Sequence, residues 1–177
     1  MYKDQELTIR PIQEKDLKRL WELIYKEDNP EWKQWDAPYF SHESMSYEHF
    51  LKEAESWIDA KSRWVVCVNN DVHGTVSYYY EDEQKNWLEM GIIFYEGNNW
   101  GKGYGTTALK LWVNHIFTQL PVVRVGLTTW SGNKRMIRVA EKLGMTMEGR
   151  IRNVRYYNGE YYDSIRMGIL REEWNEQ

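Results

Sequence analysis

The run Trp100-Gly101-Lys102-Gly103-Tyr104-Gly105-Thr106 is the segment of this chain best equipped for chemistry. Glycines at 101, 103 and 105 let backbone N–H groups come close to a phosphate. The apolar positions that follow, Ala108, Leu109, Leu111, Trp112, Ile116 and Phe117, recur at helical spacing and put a helix N-terminus behind the loop. Together they predict an anion-binding turn, with a ligand-free mobile loop as the competing reading. Lys102 is not followed by Ser or Thr in a G-x-x-x-x-G-K-[ST] pattern, which excludes a Walker P-loop. The G-x-G-x-G spacing, with Glu96 to Trp100 between it and the preceding strand, fits a dinucleotide fingerprint poorly.

Other reactive side chains say less. Cys67 lies in the apolar run Trp64-Val65-Val66-Cys67-Val68, where a buried thiol is expected rather than a nucleophile. His42, His49, His73 and His115 are scattered, and no Cys/His cluster has zinc-ligand spacing, so no metal is expected. A net charge of -4 gives no general attraction to nucleic acid. No apolar run approaches a membrane span and Met1 to Arg10 lack an apolar leader core, which predicts a cytoplasmic protein.

The elements that must position these groups can be read from periodicity. Leu7, Ile9, Pro11 and Ile12 mark a first strand, and Asp16 to Ile24 a helix. Asp28 to Phe40, with two prolines and four aromatics, reads as a functional loop. A helix follows the Ser44 or Ser46 cap through Phe50, Leu51, Ala54 and Trp57. Trp64 to Val68 and Val72 to Tyr80 form a hairpin around Asn69-Asn70-Asp71, and a third strand spans Trp87 to Phe94. After the loop and its helix, Val122 to Thr129 is β-rich, Asn133 to Leu143 is helical and stops at Gly144, and Asn158-Gly159 joins two late strands. No linker interrupts this order, so residues 1–177 are expected to form one α/β (α+β) domain.

With these motifs in place, the chain resembles the GNAT superfamily of acetyl-coenzyme A dependent N-acetyltransferases, whose loop signature is Arg/Gln-x-x-Gly-x-Gly/Ala. The matching run is Trp100 to Gly105, with Trp100 in place of the usual Arg or Gln. The second half is similar to the RimJ/RimL ribosomal-protein branch through Asn133, Val139 to Met145, Glu148-Gly149, Asn158-Gly159, Asp163 and Glu173-Trp174. The resemblance implies a mixed, mostly antiparallel sheet of about seven strands flanked by about four helices. Two central parallel strands, Leu88–Phe94 and Val122–Thr129, would splay to admit the pantetheine arm of acetyl-coenzyme A.

It further implies that the amides of Gly101, Gly103, Gly105 and Thr106 cradle the pyrophosphate, with Lys102 adding charge and Trp100 and Tyr104 beside them. Ile92, Ile93 and Phe94 would line the arm, the amides of Ile93 and Phe94 facing the oxyanion. Glu89 would accept the amine's proton, its competing reading being an ion pair with a neighbouring Lys or Arg. Asn133 would hydrogen-bond the pantetheine or position the thioester, its competing reading being a helix cap. The tyrosine by which many relatives protonate the thiolate is replaced by Ala140. Trp32, Trp35 and Tyr39 of the aromatic loop and Tyr156 and Tyr161 of the late hairpin are expected to wall the acceptor, with Glu31 and Asp36 attracting a cationic amine. The acceptor implied is a protein N-terminal α-amine; a polyamine or antibiotic-like amine, or a non-catalytic acyl-coenzyme A sensor, are the alternatives. Dimers occur in the resembled branch, and no nucleic acid or membrane partner is expected.

Overall fold

Alternation along the third strand shows how the sheet is buried. Trp64 and Val66 belong to one apolar core, while Val65 and Cys67 belong to another on the opposite face. A continuous apolar run is what a strand covered on both faces requires. The computed structural model describes residues 1–175. They form one eight-stranded sheet of order β1-β2-β3-β4-β5-β6-β8-β7. Its strands are β1 (Tyr2–Asp4), β2 (Leu7–Pro11), β3 (Arg63–Val68), β4 (Asp71–Tyr80), β5 (Trp87–Phe94), β6 (Arg124–Trp130), β7 (Thr146–Tyr157) and β8 (Glu160–Leu170). The helices are α1 (Leu17–Ile24), α2 (Tyr47–Ala54), α3 (Tyr104–Gln119), α4 (Lys134–Lys142) and α5 (Arg171–Asn175).

Helices α3 and α4 cover one face, around the fully buried Trp112, Leu109 and Ile116; α1 and α2 cover the other, around Leu20 and Phe50. Positive φ at Asn69 (50°) and Asn70 (73°), and at Asn158 (49°) and Gly159 (83°), turns the two tight hairpins, as their residue types allow. Ser46 caps α2 by accepting the His49 N–H at 3.2 Å. The helix ends at Ala54, and Trp57 lies in a following 3-10 turn rather than in the helix.

Relative to the expected seven strands and four helices, the structure adds the short edge strand β1 and the terminal α5. The polar segment Tyr2–Asp4 carries no strand pattern of its own and is recruited by pairing with β2.

One pairing organises the site. All neighbouring strands run antiparallel except β5 and β6, which pair in parallel only at Trp87↔Arg124, Leu88↔Val125 and Glu89↔Gly126. Beyond Glu89 the two strands part. Among the described residues, no strand pairs with the β6-facing edge of β5 from Met90 to Phe94.

Candidate active site

The parting of β5 and β6 opens a cleft of about 750 Å³ that runs from the glycine loop to the aromatic loop. The Tyr95 N–H donates to the His73 carbonyl on the β4 side at 3.0 Å. Strand alternation then puts the Ile93 N–H on that same side and leaves the backbone of Ile92 and Phe94 facing the opening. The Ile93 amide, expected to face the oxyanion, is therefore committed to the sheet. At about 3.3 Å per residue, Met90 to Phe94 give the groove a length of about 16 Å, suited to an extended pantetheine arm.

At the loop end, Gly101 (φ +77°) and Gly103 (φ +87°) hold left-handed backbone, and Gly103 immediately precedes α3. A Cβ at either would meet open space, so the backbone is bare toward a ligand. The loop is anchored from behind: the Glu96 carboxylate takes Arg19 Nη2 of α1 at 2.8 Å and His73 Nδ1 of β4 at 2.5 Å. Burial raises the Glu96 carboxyl, but Arg19 and His73 outweigh that and hold it below the usual carboxylate range.

Gly101, Gly103, Tyr104, Gly105 and Thr106 line the cleft, whereas Lys102 is exposed at the rim and outside its lining. The cations that do line it are Arg135, Arg138 and Lys142 of α4. No carboxylate pairs with any of the three among the described residues. Sequence reasoning missed them, although their i, i+3, i+7 spacing marks one helix face. Trp100 donates its indole N–H to the Phe94 carbonyl at 3.0 Å and meets Trp35 edge-on. It thus closes the loop onto β5 where the family carries Arg or Gln. These bare amides, the helix N-terminus and three cations without a carboxylate partner among the described residues suit the phosphates of coenzyme A.

Where the strands part, Glu89 is 1% exposed and is not part of the cleft lining. Its Oε1 accepts from Arg124 Nη1 at 3.3 Å and its Oε2 from the Thr128 hydroxyl at 2.8 Å. Arg124 also pairs with Glu148, and Arg166 Nη1 donates to Thr128 Oγ1 at 2.8 Å. The ion pair that is the competing reading of Glu89 is therefore present, and only Thr128 of this cluster lines the cleft.

At the other end, Trp35, Tyr39 and Trp130 form aromatic walls around Asp36. Asp36 is reached by solvent through the cleft but crowded by protein, which raises its carboxyl above the usual range against the pull of Lys33. It is the one carboxylate lining the cleft among the described residues. Arg63 and Tyr25 share this chamber. Trp32 reaches the cleft but is 6% exposed and donates to the Leu23 carbonyl at 3.0 Å, so it is mainly core.

Asn133 caps α4 by accepting the Met136 N–H at 3.0 Å and donates to the Trp35 carbonyl at 3.1 Å. One N–H of its amide clamps the aromatic loop, so the competing reading as a helix cap is present, while Asn133 also lines the cleft and its amide has a second N–H. Tyr156 and Tyr161 correct the acceptor assignment: they are 59% and 65% exposed, contact each other and lie outside the cleft. Strand alternation turns their neighbours Tyr157 and Tyr162 inward, onto Trp130. Ala140 is fully buried in the α3-side core and offers no acid.

A groove between splayed strands that ends in an amide-lined turn defines an acyl-coenzyme A dependent transferase. The family model described as an acetyltransferase (GNAT) domain matches residues 6–146, and the chain belongs to that family, the acetyl-coenzyme A dependent N-acetyltransferases. It is 26% identical over 171 residues to the SPbeta prophage-derived uncharacterized N-acetyltransferase YokL of Bacillus subtilis, covering 96% of this chain and 93% of the relative. It is also 26% identical over 172 residues to the spermidine N(1)-acetyltransferase of Escherichia coli, covering 95% and 88%. The fold superposes on a spermidine N-acetyltransferase from Vibrio cholerae, solved in complex with CoA and spermine, with a TM-score of 0.79 and 22% identity over 97% of this chain and 99% of that one.

Proposed function

We propose that this enzyme acetylates a primary amine on an acceptor with a single cationic centre, foremost the α-amine of a polypeptide N-terminus, by direct attack within a ternary complex. The carrying observation is the acceptor chamber: one carboxylate, Asp36, among aromatic walls, in a cleft whose lining otherwise carries cations, Arg63 among them. One anion matches one ammonium. A polyamine would leave further ammonium groups uncompensated, since no second carboxylate lines the cleft among the described residues. The spermidine-acetylating relative favours a polyamine acceptor as the second reading.

Acetyl-coenzyme A, held by the loop amides of Gly101, Gly103, Gly105 and Thr106 and by the α4 cations, supplies a thioester carbonyl as electrophile. The open backbone edge at Ile92 and Phe94 orients it, and fixed amides there counter charge developing on its oxygen. Asp36 holds the amine, and Glu89 is the terminal base that takes its proton. That task is easier for an α-amine, with a pKa of about 8, than for an alkylamine near 10.4.

Thiol release with N-terminal peptides, simple monoamines and spermidine as acceptors tests this reading. Turnover should be highest with a single-amine acceptor, and Asp36→Asn should raise its KM by about tenfold or more while leaving the KM for acetyl-coenzyme A unchanged, as loss of one charge-assisted contact implies. A kcat/KM for spermidine above that of every monoamine and peptide would establish the polyamine reading instead.

A further inference from the structure

Glu89 presents a difficulty for any base mechanism. Its carboxylate is buried, engaged by Arg124 and Thr128, and absent from the cleft wall, so an amine in the chamber cannot reach it directly. Thr128 bridges that gap. Its hydroxyl donates to Glu89 Oε2 at 2.8 Å, so the hydroxyl proton already points at the base. Arg166 Nη1, 2.8 Å away, occupies one lone pair of the same oxygen and holds the rotor in that orientation. The second lone pair has no protein hydrogen-bond partner among the described residues, and Thr128 is exposed and lines the cleft.

Thr128 also stands two residues beyond the last β5–β6 pair, Glu89↔Gly126, where the groove narrows to its inner end. An arm entering from the loop at the C-terminal end of β5 brings its sulfur end toward this point.

We propose that Thr128 is a catalytic residue that relays the acceptor's proton to Glu89. This deepens the reading above and rests on it for Glu89 as the terminal base. In the relay, one N–H of the acceptor ammonium bonds to Thr128 Oγ1. That proton passes to Thr128 as the original hydroxyl proton passes to Glu89 Oε2, so the hydroxyl is restored, the carboxylate becomes a carboxylic acid and the nitrogen regains its lone pair. When nitrogen attacks the thioester carbonyl and the C–S bond breaks, the nitrogen's second proton leaves with the thiolate as thiol. Glu89 then returns its proton by the same hydroxyl to bulk water. The site tolerates a neutral Glu89 because Arg124 keeps Glu148 as its counterion throughout.

The test is kcat for the best single-amine acceptor at saturating acetyl-coenzyme A in Glu89→Gln, Thr128→Val, Thr128→Ser and the double variant Glu89→Gln/Thr128→Val. Thr128→Ala replaces Thr128→Val if the latter does not fold. The expected result is a fall in kcat for Glu89→Gln and Thr128→Val alike, by about 10²-fold or more, the range a general base supplies. The double variant should fall no further than either single one, Thr128→Ser should recover kcat to within about threefold, and the KM for acetyl-coenzyme A should stay constant. If Glu89→Gln loses activity and Thr128→Val keeps it, the relay is wrong while Glu89 stands as base. Equal loss in Thr128→Ser and Thr128→Val also overturns the relay, because the hydroxyl is then not what matters. Full activity in Glu89→Gln removes Glu89 as the base, and the relay with it.

Discussion

Asp36 shows how a single residue trades stability for recognition. Its carboxyl is raised by crowding at the cleft, so folding favours the neutral form. The sign follows from linkage: the folded state holds the proton more tightly than the unfolded chain. Stability associated with Asp36 is therefore complete below the ordinary carboxylate pKa and is lost as pH rises through the raised value. At neutral pH the folded protein carries an anion that it would be more stable without. Asp36→Asn should raise the thermal midpoint near pH 7, by less than about 1 kcal/mol because solvent reaches the group, and the gain should vanish in acid. Melting curves of both proteins from pH 3 to 8 check this; a midpoint that drops at pH 7 would show that Asp36 supports the fold instead. A bound ammonium reverses the penalty, which is how a site gains affinity from a carboxylate the fold disfavours.

At the scale of elements, the site is a defect in strand pairing, and small residues maintain it. Gly126 is the last paired residue of β6, and a Cβ there would overlap the Glu89 carboxylate and the Arg124 guanidinium. Glycine is present because a buried ion pair occupies the place of its side chain. Gly126→Ala should displace Glu89 from Thr128, lowering kcat toward the level of Glu89→Gln and costing about 1–3 kcal/mol as overpacking. Urea unfolding and kcat on the same preparation check it, and unchanged kcat would mean that the cluster yields without loss of function.

Elements of this kind were legible in the sequence to different degrees. Both tight hairpins, the glycine loop, and the helix from Asn133 to Gly144 follow from local φ preferences and periodicity, which neighbouring strands do not alter. The face that a side chain presents is decided by register, which is why Tyr156 and Tyr161 were expected in the wall that Tyr157 and Tyr162 support. The burial of Glu89 depends on its partners Arg124 and Thr128 of β6, and the alignment of Arg135, Arg138 and Lys142 with the loop on how α4 packs; no local spacing encodes either.

For the whole molecule, the central sheet belongs to both cores, since β3 sends alternate side chains to each face. Neither helical layer can lose its packing without uncovering the same strands, so residues 1–175 should unfold as one cooperative unit. The cleft crosses that unit: Asn133 and Trp130 both hold the Trp35 carbonyl, and the Arg135 guanidinium lies 4.6 Å from the Trp35 ring and 5.5 Å from Trp100. The acceptor loop is thereby fastened to the helix and turn that receive the phosphates. Acetyl-coenzyme A should therefore move a single transition upward as a whole, by about 2.7 kcal/mol at a hundredfold excess over its Kd. Gly103→Val should abolish the shift, because the left-handed backbone at φ +87° strains a β-branched side chain even where space is open. Scanning calorimetry with and without acetyl-coenzyme A reads both. Two separated transitions, or a shift retained in Gly103→Val, would mean that the cofactor stabilises only one layer or is held without the glycine turn.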